Sequence, residues 1–441
     1  MEHIHTNDIS TSNEGNNQAK SSKTALTFIF ITILIDVIGI GLVMPVMPQL
    51  IAKLTGGDLA DSALYGGLLM VCFAGMQFLF APVMGELSDR FGRRPILMIS
   101  LFVLSIDYFF HAFAPTIGWL IVTRILAGIT GASFTVASSY IADVSTPENK
   151  AKNFGVIGAA FGLGFILGPA LGGIGADWGV EMPFIIAAGL AFLNFLFGYF
   201  FVPESLAVSK RRKINYRNMI PGVSLIQLGK YKTLLGLVIA FFLVNLAGQV
   251  MPNVWSFFTL EKFKWDTTDV GISFAVVGAL VVIVQVFLIG WFVKKLGSKR
   301  VILLGFLFWT IGMIGFALAI NEVILYLALI PYCLGGIAGP SIQGLLSNSV
   351  SEKEQGNLNG ALMQAVSITA VAAPLIYNTL FFNFSKADAT VYFPGAPYLA
   401  AAVIILISCV VAFISLRNFK DTDLAVVKEE LQPATEPIQV H

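Results

Sequence analysis

Charge is what this chain has least of. Only 12% of its 441 residues are Asp, Glu, Lys or Arg, against about 25% in soluble domains. A net charge of +1 leaves no basic surface, so no nucleic-acid partner is expected. Cysteine is sparse too. Cys72, Cys333 and Cys409 stand apart in apolar runs, at no spacing that suits zinc or a redox pair, and read as small buried hydrophobes. His3, His5 and His441 lie in the polar tails, which leaves His111 as the membrane histidine. No phosphate-cradling glycine loop, metal-ligand cluster or nucleophile–His–Asp arrangement is present. Nothing therefore points to ATP hydrolysis, an enzyme, a metal or a cofactor.

What is present is apolar: 56% of residues are hydrophobic, with 37 Phe and 42 Gly and a mean hydropathy of +0.81. Large side chains that face lipid and small ones that let helices touch fit a polytopic membrane protein. Runs of membrane-spanning length fall near 25–51, 63–84, 95–114, 117–140, 154–175 and 183–202, then near 233–258, 270–293, 300–319, 323–347, 357–381 and 397–416. The first is too long for a secretory signal and is read as an uncleaved helix. The organisation expected is a disordered tail over 1–23, a six-helix bundle over 24–202, a polar linker over 203–232, a second bundle over 233–417 and a tail over 418–441. Twelve spans put 22 of the 27 Lys and Arg residues on one side, with Lys53, Lys262, Lys264 and Lys386 opposite and Arg124 inside a span. The positive-inside rule then places both termini in the cytoplasm.

The two halves repeat. Gly85-Glu86-Leu87-Ser88-Asp89-Arg90-Phe91-Gly92-Arg93-Arg94 is a charged turn between apolar runs, and it returns 205 positions later as Gly290 to Lys299. Asp36-Val37-Ile38-Gly39 echoes Asn245-Leu246-Ala247-Gly248, and Gly128-Ile129-Thr130-Gly131 echoes Gly336-Ile337-Ala338-Gly339. Duplicated bundles of this size point to a transporter, with the substrate path between the halves.

Asp36, Asp107 and Arg124 lie deep in spans, where a charge costs roughly 3 kcal/mol or more and marks a functional candidate. Helical rise puts all three near mid-membrane, where an Asp–Arg pair could form. The apolar run around Asp36 penalises a carboxylate and makes it a candidate for reversible protonation, which a nearby Arg would oppose. Proton coupling and a structural polar contact both remain open for Asp36 and for Asp107. In the turn, Asp89 is expected to accept from helix N-terminal amides while Arg90, Arg93 and Arg94 sit at the membrane face, as a conformational latch or as plain topology anchors. Gly164, Gly168, Pro169, Gly172 and Gly173 form a small-residue stripe for close helix contact, and Gly39, Gly41, Pro45 and Pro48 make the first helix bendable. Gln249, Gln285 and Trp309 are candidates for substrate contact.

These residues resemble the major facilitator superfamily, and the match covers nearly the whole chain apart from the tails. Gly85 to Arg94 resembles its loop 2–3 signature. Arg124-Ile125-Leu126-Ala127-Gly128 is similar to the helix 4 signature whose Arg is linked with proton coupling, and Gly164 to Gly173 resembles the glycine–proline motif of proton-driven exporters. Within that family the chain is similar to the tetracycline-exporter branch of drug:proton antiporters, through Asp36 to Pro45, Asp107-Tyr108, Ile141-Ala142-Asp143, Phe161 to Gly164, Val254-Trp255 and Gln355 to Gly360. It departs from that branch at two places: Val281 and Trp309 stand where a helix 8 His and a helix 9 Asp are expected. The resemblance implies a twelve-helix, all-α exporter of small amphipathic molecules in the bacterial inner membrane. Its partners would be the substrate, protons and lipid, with a monomer expected to suffice. The alternatives are a proton-coupled importer or facilitator for a nutrient or siderophore, and a non-transporting receptor.

Overall fold

The computed structural model describes residues 27–131, 133–145, 150–216, 219–222, 225, 234–350 and 352–418. The tails expected before residue 24 and beyond 418, and part of the linker, lie outside the described residues. All regular structure among the described residues is helical. Eleven helices are long and apolar enough to cross a membrane, and a twelfth span forms if one bent pair is counted as a unit. In chain order these are α1 (Thr27–Val43 with Met47–Thr55), α2 (Leu59–Phe91), α3 (Arg93–Phe113), α4 (Ile117–Val144), α5 (Gly158–Ala176) and α6 (Met182–Phe201). They continue with α7 (Leu235–Lys262), α8 (Thr267–Leu296), α9 (Ser298–Leu318), α10 (Glu322–Ser347), α11 (Leu358–Ser385) and α12 (Ala396–Arg417). Each overlaps one of the twelve apolar runs. In a bilayer every backbone amide must be satisfied within its own segment, so apolar runs of this length become helices.

Both repeats contain helix breaks. α1 bends by 50° between Val43 and Met47, where Pro45 lacks an amide hydrogen and interrupts the ladder; α7 also breaks, earlier in its repeat, between Gly248 and Val250. The α4 helix stops at Thr130, with Gly131 capping it, and resumes at Ser133. α10 likewise breaks between Gly335 and Ala338. The echoed segments Gly128–Gly131 and Gly336–Gly339 thus both contain a helix break, whereas Asp36–Gly39 stays helical within α1.

The chain divides into two compact units, and each draws on both halves of the sequence. One comprises residues to Leu50, Leu79–Ile220 and Thr267–Ala275; the other comprises Ile51–Phe78, Pro221–Asp266 and the residues from Val276. The first packs Phe28, Ile29, Ile33, Leu97, Leu101, Val136 and Tyr140 into one core. The second holds a fully buried aromatic knot: Trp255 meets Phe316 edge-on at 5.1 Å, and Tyr398 meets Phe258 at 4.9 Å. Lipid is as apolar as these rings, so such contacts act through shape and dispersion rather than through water exclusion.

Candidate functional site

The ionisable residues of the first half converge on α1, α3 and α4. Asp107, 1% exposed on α3, accepts through Oδ2 from Nη2 of Arg124 on α4. An intramembrane Asp–Arg pair is formed. Tyr108, buried beside it, lies within electrostatic reach of Arg124, Asp107 and Asp36. Its ring fills the space that a side chain on Gly39 would need, with Tyr108 Cε2 and the hydroxyl 2.9 Å from where a Cβ would stand. Gly39 follows Asp36 by one helical turn on α1, so the missing side chain lets the tyrosine bridge α1 to the ion pair. His111 is a fourth ionisable group of this cluster. His111, one turn beyond Asp107 and 0% exposed, places Nδ1 3.5 Å from Asp107 Oδ1. The i,i+4 spacing of Asp107 and His111 was the available signal.

The charged turn forms a network at one end of the α2–α3 hairpin. Gly92 takes a φ of 112°, a left-handed conformation that favours glycine. Asp89 pairs with Arg93, which also reaches Asp143 of α4 at 3.2 Å. The amides expected to bind Asp89 are instead met by Glu204, just past α6: Oε1 accepts from Arg93 N at 2.8 Å and Oε2 from Arg94 N at 3.2 Å. Asp89 is drawn away by the Arg93 guanidinium one turn on, which leaves the N-terminal positive end of α3 to a carboxylate 111 residues distant. Arg94 donates to the Tyr199 carbonyl at the end of α6, whereas Arg90 is exposed and lies over the Phe91 ring at 5.5 Å. The second copy is barer. Gly297 also has positive φ, 78°, but nothing stands within 4 Å of where its Cβ would be.

The stripe on α5 lies against the α1 backbone. A Cβ on Gly168 would stand 2.7 Å from the Ile38 carbonyl oxygen and 2.8 Å from Gly41 Cα; one on Gly164 would stand 2.6 Å from Val37 Cβ. Gly172 faces Leu42 in the same way, and Gly173 and Pro169 meet Thr267, Thr268 and Gly271 at the start of α8. Glycine is required here because backbone approaches backbone.

The second half holds a cavity of about 240 Å³ bounded by Val281 and Gln285 of α8, Trp309 of α9, and Tyr332, Gly336 and Pro340 of α10. Two of the three substrate candidates, Gln285 and Trp309, therefore share one wall with Val281; Gln249 is not among the lining residues. Gln285 belongs to a π-helical turn, Val284–Leu288, a local widening that is frequent at functional sites. The Trp309 and Tyr332 rings lie 6.1 Å apart, and Trp309 Cη2 is 3.3 Å from where a Gly248 Cβ would be, at the break in α7. No lining residue carries a formal charge.

Comparison with known proteins agrees with this architecture. The family model described as Major Facilitator Superfamily matches residues 29–374 and 233–439. The tetracycline resistance protein, class C, of Escherichia coli is 39% identical over 82% of this chain and 90% of its own length. The class H protein of Pasteurella multocida is 34% identical over 92% and 99%. The quinolone resistance protein NorA of Staphylococcus aureus is 27% identical over 86% and 95%. Among solved structures, the nucleoside transporter NupG superposes with a TM-score of 0.73 at 14% identity, covering 90% of this chain and 100% of that one; at that identity the likeness speaks for the fold alone. This multi-pass membrane protein belongs to the Major Facilitator Superfamily.

Proposed function

We propose that the protein exports small, uncharged, flat aromatic amphiphiles in exchange for protons. The exporter reading draws on relatives named for resistance to tetracycline, multiple drugs and quinolones. Asp36, Asp107 and Arg124 would carry coupling and charge balance. Asp89, Arg93 and their partners Asp143 and Glu204 would latch the cytoplasmic ends of α2, α3 and α4 in one state and release them in the other. The six-helix halves 24–202 and 233–417 would alternate access, with both termini in the cytoplasm.

The observation that carries the substrate class is the cavity wall: two aromatic rings, one amide and no charge. At 240 Å³ it is smaller than the roughly 300–1,000 Å³ typical of drug sites, so it would seat one aromatic edge of a larger molecule. Gln285 supplies the directional hydrogen bond. A second reading, export of a tetracycline, is favoured by the names of the 34–39% identical relatives. Everted vesicles loaded with a pH-sensitive dye separate the two. Neutral aromatic drugs should dissipate the gradient, and Trp309→Ala should raise their apparent KM about three- to tenfold, as expected for loss of a contact of about 0.5–1.5 kcal/mol. Dissipation by tetracycline alone, unchanged in Trp309→Ala, would overturn the proposed class.

A further inference from the structure

The buried ion pair of the first half has a third member that the exporter reading does not use. His111 is wholly buried, on the same face of α3 as Asp107. Its Nδ1 lies 2.7 Å from the Asp107 carbonyl oxygen. A carbonyl only accepts, so Nδ1 carries the proton. The opposite nitrogen, Nε2, is buried with no hydrogen-bond partner, and so is Asp107 Oδ1. With Arg124 already neutralising Asp107, a second cation on His111 would be buried without a counter-charge, so in this state the imidazole is neutral and Nε2 is a bare base. The groups that face it are Asp107 on its own helix, Arg124 on α4 and the Phe184 ring of α6, stacked at 5.5 Å; Tyr108 lies within electrostatic reach of the same ion pair and of Asp36 on α1.

We infer that His111 is an alternate counter-ion for Asp107, accepting a proton at Nε2 when Arg124 leaves the carboxylate. Three groups, Arg⁺, Asp⁻ and neutral His, currently sum to no charge. If Arg124 turned away with nothing to replace it, Asp107 would be stranded as an unpaired anion in a buried site, which is strongly unfavourable. A proton from the aqueous side, added to Nε2, makes the imidazolium and restores neutrality around Asp107. The Arg124 Nη2–H···Oδ2 bond breaks, and the Nδ1–H that now points at the backbone carbonyl has Oδ1 as a second acceptor 3.5 Å away. One proton is taken up and no other bond changes. His111 is thereby a positioning residue for Arg124, whose release it permits.

This inference rests on the proton-coupled reading, and its first test does not depend on transport. In ¹⁵N-histidine-labelled protein in micelles, the His111 resonance is assigned by its loss in His111→Gln. Wild type should show a neutral ring with a bare Nε2 at pH 7. Arg124→Gln should show an imidazolium, and Asp107→Asn should restore the neutral ring, also in the Arg124→Gln background. A ring that stays neutral in Arg124→Gln down to pH 5 overturns the inference. Should Arg124→Gln not fold, wild type carries the test: its ring should protonate with an apparent midpoint at least about one pH unit above that of Asp107→Asn, and equal midpoints overturn the inference. In vesicles, His111→Gln should keep drug–drug exchange while net proton-driven export falls about tenfold or more. Unaltered export in His111→Gln, or equal loss of exchange and export, would also overturn it. Failure of the exporter reading looks different: wild type itself would move no protons with any drug.

Discussion

The contact between α1 and α5 gives the most direct test of the packing argument. Gly168→Ala adds one carbon 2.7 Å from the Ile38 carbonyl oxygen and 2.8 Å from Gly41 Cα. Ordinary contacts lie at about 3.5–4.0 Å, so the helices must part by ~1 Å. Neither obstacle is the end of a flexible side chain; both are backbone and yield only if a helix moves. Overpacking of this kind costs about 1–3 kcal/mol, partly offset by the gain of up to about 1 kcal/mol in helix propensity from Gly to Ala. Gly189→Ala on α6 makes the comparison internal, because nothing lies within 4 Å of its added carbon. Both variants gain the same propensity, so the difference between them isolates the interhelical contact. Thermal unfolding in micelles should place Gly168→Ala below Gly189→Ala by about 1–3 °C, at roughly 1 °C per kcal/mol for a chain of this length, with Gly189→Ala at or above wild type. Export should fall only in Gly168→Ala, since moving α1 moves Asp36 and unseats Tyr108 from Gly39. Equal melting temperatures for the two variants would refute the reading of the stripe as a backbone-to-backbone seam.

The hairpins offer a second internal pair: Gly92→Ala should destabilise more than Gly297→Ala. Both strain a positive φ by about 1–2 kcal/mol, but only at Gly92 does the new carbon also strike a carboxylate, that of Glu204; micelle melting curves check the order. Glu204→Gln should lower stability by about 1–3 kcal/mol, because three amides, Arg93 N, Arg94 N and Leu206 N, share its oxygens. The melting temperature of Asp89→Asn, measured beside it, should fall less. Asn378, buried on α11, donates to the Ala63 carbonyl of α2 at 2.8 Å. Asn378→Ala should cost about 1 kcal/mol and raise labelling of an introduced cysteine at position 63 by a membrane-impermeant maleimide.

The spans were legible because the bilayer imposes a single pattern, a long apolar run, and because Lys and Arg sort by side. That an Asp–Arg pair could form was legible for the same reason, because a charge in an apolar run has few uses; that Asp107 is a partner of Arg124 came from the fold. Glu204 was not legible. It sits in a polar segment where a carboxylate is unremarkable by composition, and only the fold brings it to Arg93 across 111 residues. The π turn at Val284–Leu288 has no marker in Val, Gln, Phe and Leu, which suit an α-helix equally well. The cavity was half visible: Gln285 and Trp309 stood out as polar or amphipathic groups in spans, while Gly336 and Pro340 shape its floor by what they lack.

The divergence of the two repeats supports assigning coupling to the first half and substrate choice to the second. In the first, α3 and α4 are joined by the Asp107–Arg124 ion pair. Moving 205 places on from Asp107 reaches Gly312 of α9, and 208 from Arg124 reaches Tyr332 of α10. There the same helix pair is joined without charge: a Cβ on Gly312 would stand 2.6 Å from Tyr332 N, backbone against backbone. Freed from an ion pair, Tyr332 turns its ring to Trp309 and lines the cavity. A buried ion pair holds its helices only while both charges are present, so it can be switched by a proton. A glycine contact has nothing to titrate and holds its helices at every pH. On the proton-coupled reading, the repeat that carries the ion pair is the one with a group to titrate, and the repeat without it joins the same helices through contacts that no proton alters.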